Sequence, residues 1–128
     1  MRPRILVVDD QVAIGTYIKA VAEPLGYDVT IATEPRKAIP LVLELEPALI
    51  ILDIVMPQMD GIEILRALGA MRCAAHILII SGFSADYLES AASLSKPFGL
   101  EHVTTMPKPF RTAALRQYLA QSVPVSQA

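Results

Sequence analysis

The chain has 128 residues, with eleven Lys and Arg against thirteen Asp and Glu and a formal net charge of -2; that length makes one domain, able to bury roughly 65 to 70% of its unfolded surface. Scattered basic residues and a slightly negative balance argue against a grip on the nucleic-acid backbone, which needs clustered Lys and Arg. Cys73 is the only cysteine, so there is no disulfide framework, which fits a reducing cytoplasm and leaves Cys73 as a packing residue or a surface thiol.

Hydrophobic residues make up 53% of the chain, yet no apolar run approaches the about 18 residues of a membrane span. The excess reads instead as a sheet covered on both faces. The start, Ile5-Leu6-Val7-Val8 followed by Asp9-Asp10, reaches acid too early for a signal peptide.

Five short apolar runs alternate with helical patterns, which predicts a parallel sheet with helices on both faces. Ile5 to Val8 is the first strand. Ile14, Ile18, Val21 and Leu25 then make one helical stripe, with Pro24 in its last turn and Gly26 as a left-handed cap. Asp28 to Ala32 is the second strand. Thr33 is placed to cap the second helix and Pro35 suits its first turn. Pro40 falls among Ala38, Ile39, Leu41, Val42 and Leu45, so this helix should be kinked or interrupted.

The third strand, Leu49 to Asp53, is a run of branched apolar residues ending in a carboxylate and a Pro/Asp/Gly turn, the pattern of a buried central strand. Asp60 is placed to cap a third helix carrying Ile64, Leu65 and Leu68, with Gly69 near its end. His76 to Ser81 is the fourth strand. Ser84 to Leu94 is a Ser-rich and therefore weak fourth helix, broken by Lys96-Pro97-Phe98-Gly99. His102 to Met106 is the fifth strand, Pro107-Lys108-Pro109 a loop, and Arg111 to Gln121 a last helix with Leu115, Tyr118 and Leu119 inward. Residues 122–128 read as a tail or linker stump. His76 and His102 start strands on the sheet edge away from the polar strand ends and read as solvent-facing or structural.

The strand ends carry the chemistry. The first ends in Asp9-Asp10, the third in Asp53 and the fourth in Ser81, while Lys108 follows the fifth. Polar groups at the carboxyl ends of neighbouring parallel strands share one crevice. Three carboxylates there repel one another unless a cation lies between them, and an oxygen-only set suits Mg²⁺ rather than zinc. The ammonium of Lys108 and the hydroxyl of Ser81 complete a cage for a tetrahedral anion. Asp53, the acid standing alone on the middle strand, is then the nucleophile, since a carboxylate can form an acyl phosphate. Lys96 also precedes Pro-Phe, but it follows Ser81 by only fifteen residues, too few for a helix and a strand; Lys108 follows by twenty-seven.

These residues resemble the receiver domains of two-component response regulators. The resemblance rests on the acid pair after the first strand, Asp53 followed by Met56-Pro57-Gln58-Met59-Asp60-Gly61, Ser81-Gly82 after the fourth strand, and Lys108-Pro109-Phe110 before the last helix. It implies a flavodoxin-like (βα)5 fold with strand order 2-1-3-4-5 over residues 1–121. It implies a cytoplasmic phosphoacceptor signalling domain, not an enzyme, that takes a phosphoryl group onto Asp53 from a sensor histidine kinase or a phosphotransfer protein, with Mg²⁺ as cofactor. Asp10 would bind the metal directly and Asp9 through water, with Asp53 and the Val55 backbone carbonyl completing the protein ligands. Ser81 would be the switch hydroxyl and Lys108 the phosphate contact. Direct nucleic-acid or membrane binding is not expected, and a homodimer formed on phosphorylation stays open.

Two departures stand out. Thr105 occupies the place three before the Lys where the family usually carries an aromatic switch residue, and Pro107 precedes Lys108. Thr105 cannot swing a ring, so a docking module working without phosphorylation is an alternative. A dehalogenase-type phosphatase fits less well, because Asp9-Asp10-Gln11 lacks the Asp-x-Asp spacing, and the same stretch carries none of the glycines of a dinucleotide site.

Overall fold

The structure, a computed structural model, describes residues 2–57, 59–82 and 85–121. Five parallel strands, β1 (Arg4–Val8), β2 (Asp28–Ala32), β3 (Leu49–Asp53), β4 (His76–Ser81) and β5 (Val103–Pro107), form one sheet in the order β2-β1-β3-β4-β5. The helices are α1 (Val12–Ala22), α2 (Ala38–Leu45), α3 (Gly61–Ala70), α4 (Ala85–Ser95) and α5 (Thr112–Gln121). This is the flavodoxin-like arrangement expected from the sequence, with β3 at the centre and every residue of it buried.

Strand side chains alternate between faces, and two cores result. Leu6, Val8, Ile50, Leu52, Ile77 and Ile79 face α2, α3 and α4. Ile5, Val7, Leu49, Ile51, Leu78 and Ile80 meet Ile18 and Val21 of α1 and Leu115, Tyr118 and Leu119 of α5. Asp9 continues the row Ile5, Val7 and Asp53 the row Leu49, Ile51. Val8 pairs with Leu52 in register, so one step further along the strands the two carboxylates emerge side by side toward α1 and α5.

Several local expectations need correction. Leu25 does not close the α1 stripe: Pro24 turns Glu23–Leu25 into a 3₁₀ segment, and Leu25 is 42% exposed, although Gly26 does adopt the left-handed cap at φ 102. Thr33 caps nothing; Glu34 precedes the next turn in extended backbone, without a side-chain cap bond. The second helix is interrupted, as expected, but at Lys37/Ala38 rather than at Pro40. Pro35–Lys37 wind as 3₁₀, and Pro40 is the third residue of α2. A proline ring clashes with the carbonyl four residues back, here Arg36, so the α-helix starts late enough that Pro40 lies in its first turn, where an N–H would be orphaned anyway.

Strand β5 runs one residue later than expected and includes Pro107. It is the sheet's edge strand, where a missing N–H donor does no harm. The last helix starts at Thr112 rather than Arg111. Helix α4 starts at Ala85, and Ser84 and the tail 122–128 lie outside the described residues. Asp60 caps α3, its Oδ1 accepting from Ile62 N–H at 2.9 Å. Among the described residues no helix is long and apolar enough to cross a membrane.

Candidate functional site

Each site residue is fixed by the end of a strand. The Asp9 N–H donates to Ala32 O at 3.1 Å, which ties the β1 end to β2, while its Oδ1 accepts from Gln11 N–H at 2.9 Å. After β3, Ile54 N–H donates to Ile80 O at 3.2 Å and Gly61 N–H to Ile54 O at 3.1 Å. A Cβ on Gly61 would run into Ile54 Cα, so only glycine lets α3 close against this loop. Between them, Val55–Met56 pairs antiparallel with Met59–Asp60. The Lys108 N–H donates to Ser81 O at 2.9 Å, which fixes the approach of its side chain.

The Asp9, Asp10 and Asp53 carboxylates each place an oxygen within 4.8 Å of the others. Lys108 Nζ stands 3.0 Å from Asp53 Oδ2, 2.8 Å from Asp9 Oδ2 and 3.2 Å from Gln11 Oε1. Asp53 Oδ1 accepts from Val55 N–H at 3.0 Å. Asp9, Asp53 and Ser81 are buried and Asp10 is exposed. Asp10, Gln11, Asp53, Val55, Ser81, Gly82 and Lys108 line a cleft of about 310 Å³ at the carboxyl edge of the sheet. All the site residues expected from the sequence therefore converge. Lys96, the competing Lys-Pro-Phe lysine, lies exposed in the turn after α4.

Burial pushes the Asp53 carboxyl above its usual range, and the charge of Asp9 adds to this; the Val55 N–H and Lys108 pull the other way without winning. For Lys108 burial works against the charged form, but its hydrogen bonds to Asp9 and Asp53 and their charges outweigh that, so the ammonium titrates above its usual range. The two directions are consistent. One cation is shared by two buried acids: the lysine gains from both, while each acid has only part of it.

With all three acids ionised, the cluster and Lys108 together carry a net charge of -2, and the acids offer oxygen donors alone. That donor set and charge fit a hard divalent cation such as Mg²⁺. Gln11 was not singled out in the sequence. It follows the acid pair directly, and its amide oxygen accepts from Lys108 Nζ at 3.2 Å, beside the contact with Asp53. The position of the residue in the loop after β1 was its only available signal.

Thr105 is half-buried in β5 opposite Ile79. Cys73 is half-buried and packs on the α2–α4 core, the first of the two roles expected for it.

Comparison with known proteins agrees with this geometry. Residues 5–120 match the family described as response regulator receiver domain. The alkaline phosphatase synthesis transcriptional regulatory protein PhoP of Bacillus subtilis is 32% identical over 115 residues, covering 84% of this chain and 48% of that protein. The response regulator MprA of Mycolicibacterium vanbaalenii is 33% identical over 110 residues, covering 80% and 48%. The chain thus spans about half the length of the curated relatives it matches. A response regulator from Colwellia psychrerythraea superposes with a TM-score of 0.81 at 34% identity, covering 94% of this chain and 95% of that one. A signal receiver domain of a Luxo repressor protein from Vibrio parahaemolyticus superposes with a TM-score of 0.81 at 26% identity, covering 94% and 88%. With its strand order, its acidic cleft and its sequence all in agreement, the chain belongs to the response regulator receiver domains.

Proposed function

We propose that Asp53 accepts a phosphoryl group from the phosphohistidine of a sensor kinase or phosphotransfer protein, with Mg²⁺ held by the acidic cluster. The observation that carries this reading is the grouping of two further carboxylates and one ammonium around Asp53 at a cleft open to solvent. A carboxylate oxygen of Asp53 forms the new P–O bond as the P–N bond of the donor breaks. The electron pair stays on the donor nitrogen, which leaves as neutral imidazole once protonated.

Asp10 and the Val55 carbonyl would hold the metal directly, beside Asp53, and Asp9 would hold it through water. When bound, the cation supplies the positive charge that keeps Asp53 ionised and takes up charge on the transferred group. Lys108 supplies a second cation, already at 3.0 Å from Asp53. Gln11 and Asp9 orient that ammonium before the phosphoryl group arrives, so little reorganisation is needed at the moment of transfer. Ser81, buried at the β4 end and lining the same cleft, would donate its hydroxyl to the phosphoryl oxygens and pull the segment leading into α4. This chemistry belongs to the cytoplasm, where phosphohistidine donors are made.

One observation favours a second reading. With Thr105 in place of an aromatic, β5 has no ring to move, and a docking module that works without phosphorylation keeps the same fold. Incubation with Mg²⁺ and acetyl phosphate, followed by intact mass measurement, separates the two. A labile phosphoryl adduct that Asp53→Asn abolishes supports the phosphoacceptor. No adduct in wild type that binds Mg²⁺ would leave the docking module.

A further inference from the structure

His76 and His102 stand at the end of the sheet opposite Asp53, and the phosphoacceptor reading uses neither. His76 opens β4 and His102 immediately precedes β5. The strands are parallel and in register at Ile77 and Val103, and Ile77 N–H donates to His102 O at 2.8 Å. Neighbouring side chains on adjacent strands point the same way, so the imidazoles lie face to face. Their centroids are 4.6 Å apart and their planes differ by 9°. Beside them a hollow of about 490 Å³ opens to solvent, lined also by Glu46, Met71 and Cys73.

We propose that His76 and His102 form a binding site for a divalent transition-metal ion of the zinc, nickel and copper class, held by one nitrogen from each ring and completed by water from the adjoining hollow. Imidazole is a borderline donor that prefers these metals to Mg²⁺ or Ca²⁺. The site therefore differs from the all-oxygen cluster at Asp53 in its chemistry as well as its position, and it stands independently of the phosphoacceptor reading. Metal binding needs a free lone pair on each ring. Burial and the nearby charge of His102 hold His76 below the usual histidine range, which favours the neutral ring that a metal can bind.

The strand register, rather than the stacked orientation of the rings, is what brings the two ligands together. As stacked, the two rings send their in-plane lone pairs in parallel, so binding turns the exposed His102 ring about its side-chain torsions until a nitrogen of each ring lies about 2.1 Å from a common ion. The backbones need not move, because the β4–β5 ladder already fixes both. The hollow has room for the ion's waters. Among the described residues the pair is not joined by a third His, Cys, Asp or Glu in a group with ligating atoms all within 4.8 Å of one another. Affinity should therefore fall below that of a four-ligand structural zinc site. A bound ion would tie the start of β4 to the start of β5, the two strands whose far ends carry Ser81 and Lys108.

The test is a Zn²⁺ titration of the whole domain in saturating Mg²⁺, which occupies the acidic cluster, read by calorimetry and by the imidazole ¹⁵N signals. One ion should bind, moving the ring signals of both histidines. The exposed His102 can be replaced without disturbing the core, and His102→Gln should weaken binding about tenfold or more, since losing even an outer-shell partner of a ligand costs that much. Cys73→Ser should leave affinity unchanged. Equal affinity in His102→Gln, loss of binding in Cys73→Ser, or shifts confined to one ring would each overturn the proposal.

Discussion

Replacing Lys108 with Met keeps an unbranched side chain, one heavy atom shorter, and removes the cation that Asp9 and Asp53 share. Its Nζ lies 2.8 Å from Asp9 and 3.0 Å from Asp53, with side-chain exposures of 12%, 0% and 6% for the lysine and the two acids. Solvent therefore screens these contacts poorly. At an effective dielectric of about 20, two unit charges within 4.8 Å of each other repel by about 3.5 kcal/mol or more, and breaking a buried ion pair from one side costs about 3 to 5 kcal/mol. The variant should lose about 3 kcal/mol in urea unfolding with EDTA at neutral pH. Saturating Mg²⁺ should return most of that loss, because the ion replaces the missing charge, and Mg²⁺ should bind the variant about tenfold more tightly than wild type, a difference of about 1.4 kcal/mol.

The pH arm has a definite sign. Without Lys108 the Asp53 carboxyl rises further above its unfolded value, so the folded state takes up the proton first. The variant should then gain stability as pH falls through that raised value, narrowing its gap to wild type. A loss below about 1 kcal/mol, or one indifferent to both Mg²⁺ and pH, would refute the shared-cation argument.

Asp53→Asn should stabilise the metal-free domain at neutral pH, because it removes an acid that burial holds above its usual range. In wild type the stabilising, protonated form is fully present below the unfolded carboxylate pKa and lost as pH rises through the folded one, so the advantage of Asn should vanish in acid; an advantage that persists there would contradict this. Gly61→Ala should destabilise by about 1 to 3 kcal/mol, because the added Cβ meets Ile54 Cα, and should weaken Mg²⁺ binding by shifting the loop that carries Val55. Gly69→Ala, whose Cβ would meet Phe98 O far from the cleft, should destabilise equally and leave Mg²⁺ affinity alone; equal losses of affinity in both would sever the loop from the metal. Asp60→Ala removes the α3 cap and should cost about 1 kcal/mol by thermal unfolding.

The sequence showed the sheet clearly because Leu49–Leu52 and Ile77–Ile80 are buried on both faces, and only a covered parallel sheet calls for such runs. It showed the site for the same reason. Polar residues that interrupt strands at their carboxyl ends have one crevice to share, and chain length alone separated Lys108 from Lys96. What could not be seen was side-chain partnership across elements. Gln11 meets Lys108 from ninety-seven residues away, and Asp9 gives one oxygen to Lys108 and the other to its own loop. The misplaced details were local contests. Thr33 had the chemistry of a cap, but the clash of Pro40 with the preceding turn moved the helix start past it. Pro107 looked like a loop residue because its strand's place at the sheet edge is a tertiary fact. His76 and His102 are twenty-six residues apart, and only the β4–β5 register makes them neighbours.

The most direct measurement locates the phosphoryl group itself. After incubation with acetyl phosphate and Mg²⁺, borohydride reduction converts an acyl phosphate to the corresponding alcohol, and peptide mass mapping reads which residue changed. The account predicts conversion at Asp53 alone, with a yield that falls when Mg²⁺ is chelated. Conversion at Asp9 or Asp10 instead, or none in protein shown to bind Mg²⁺, would contradict it.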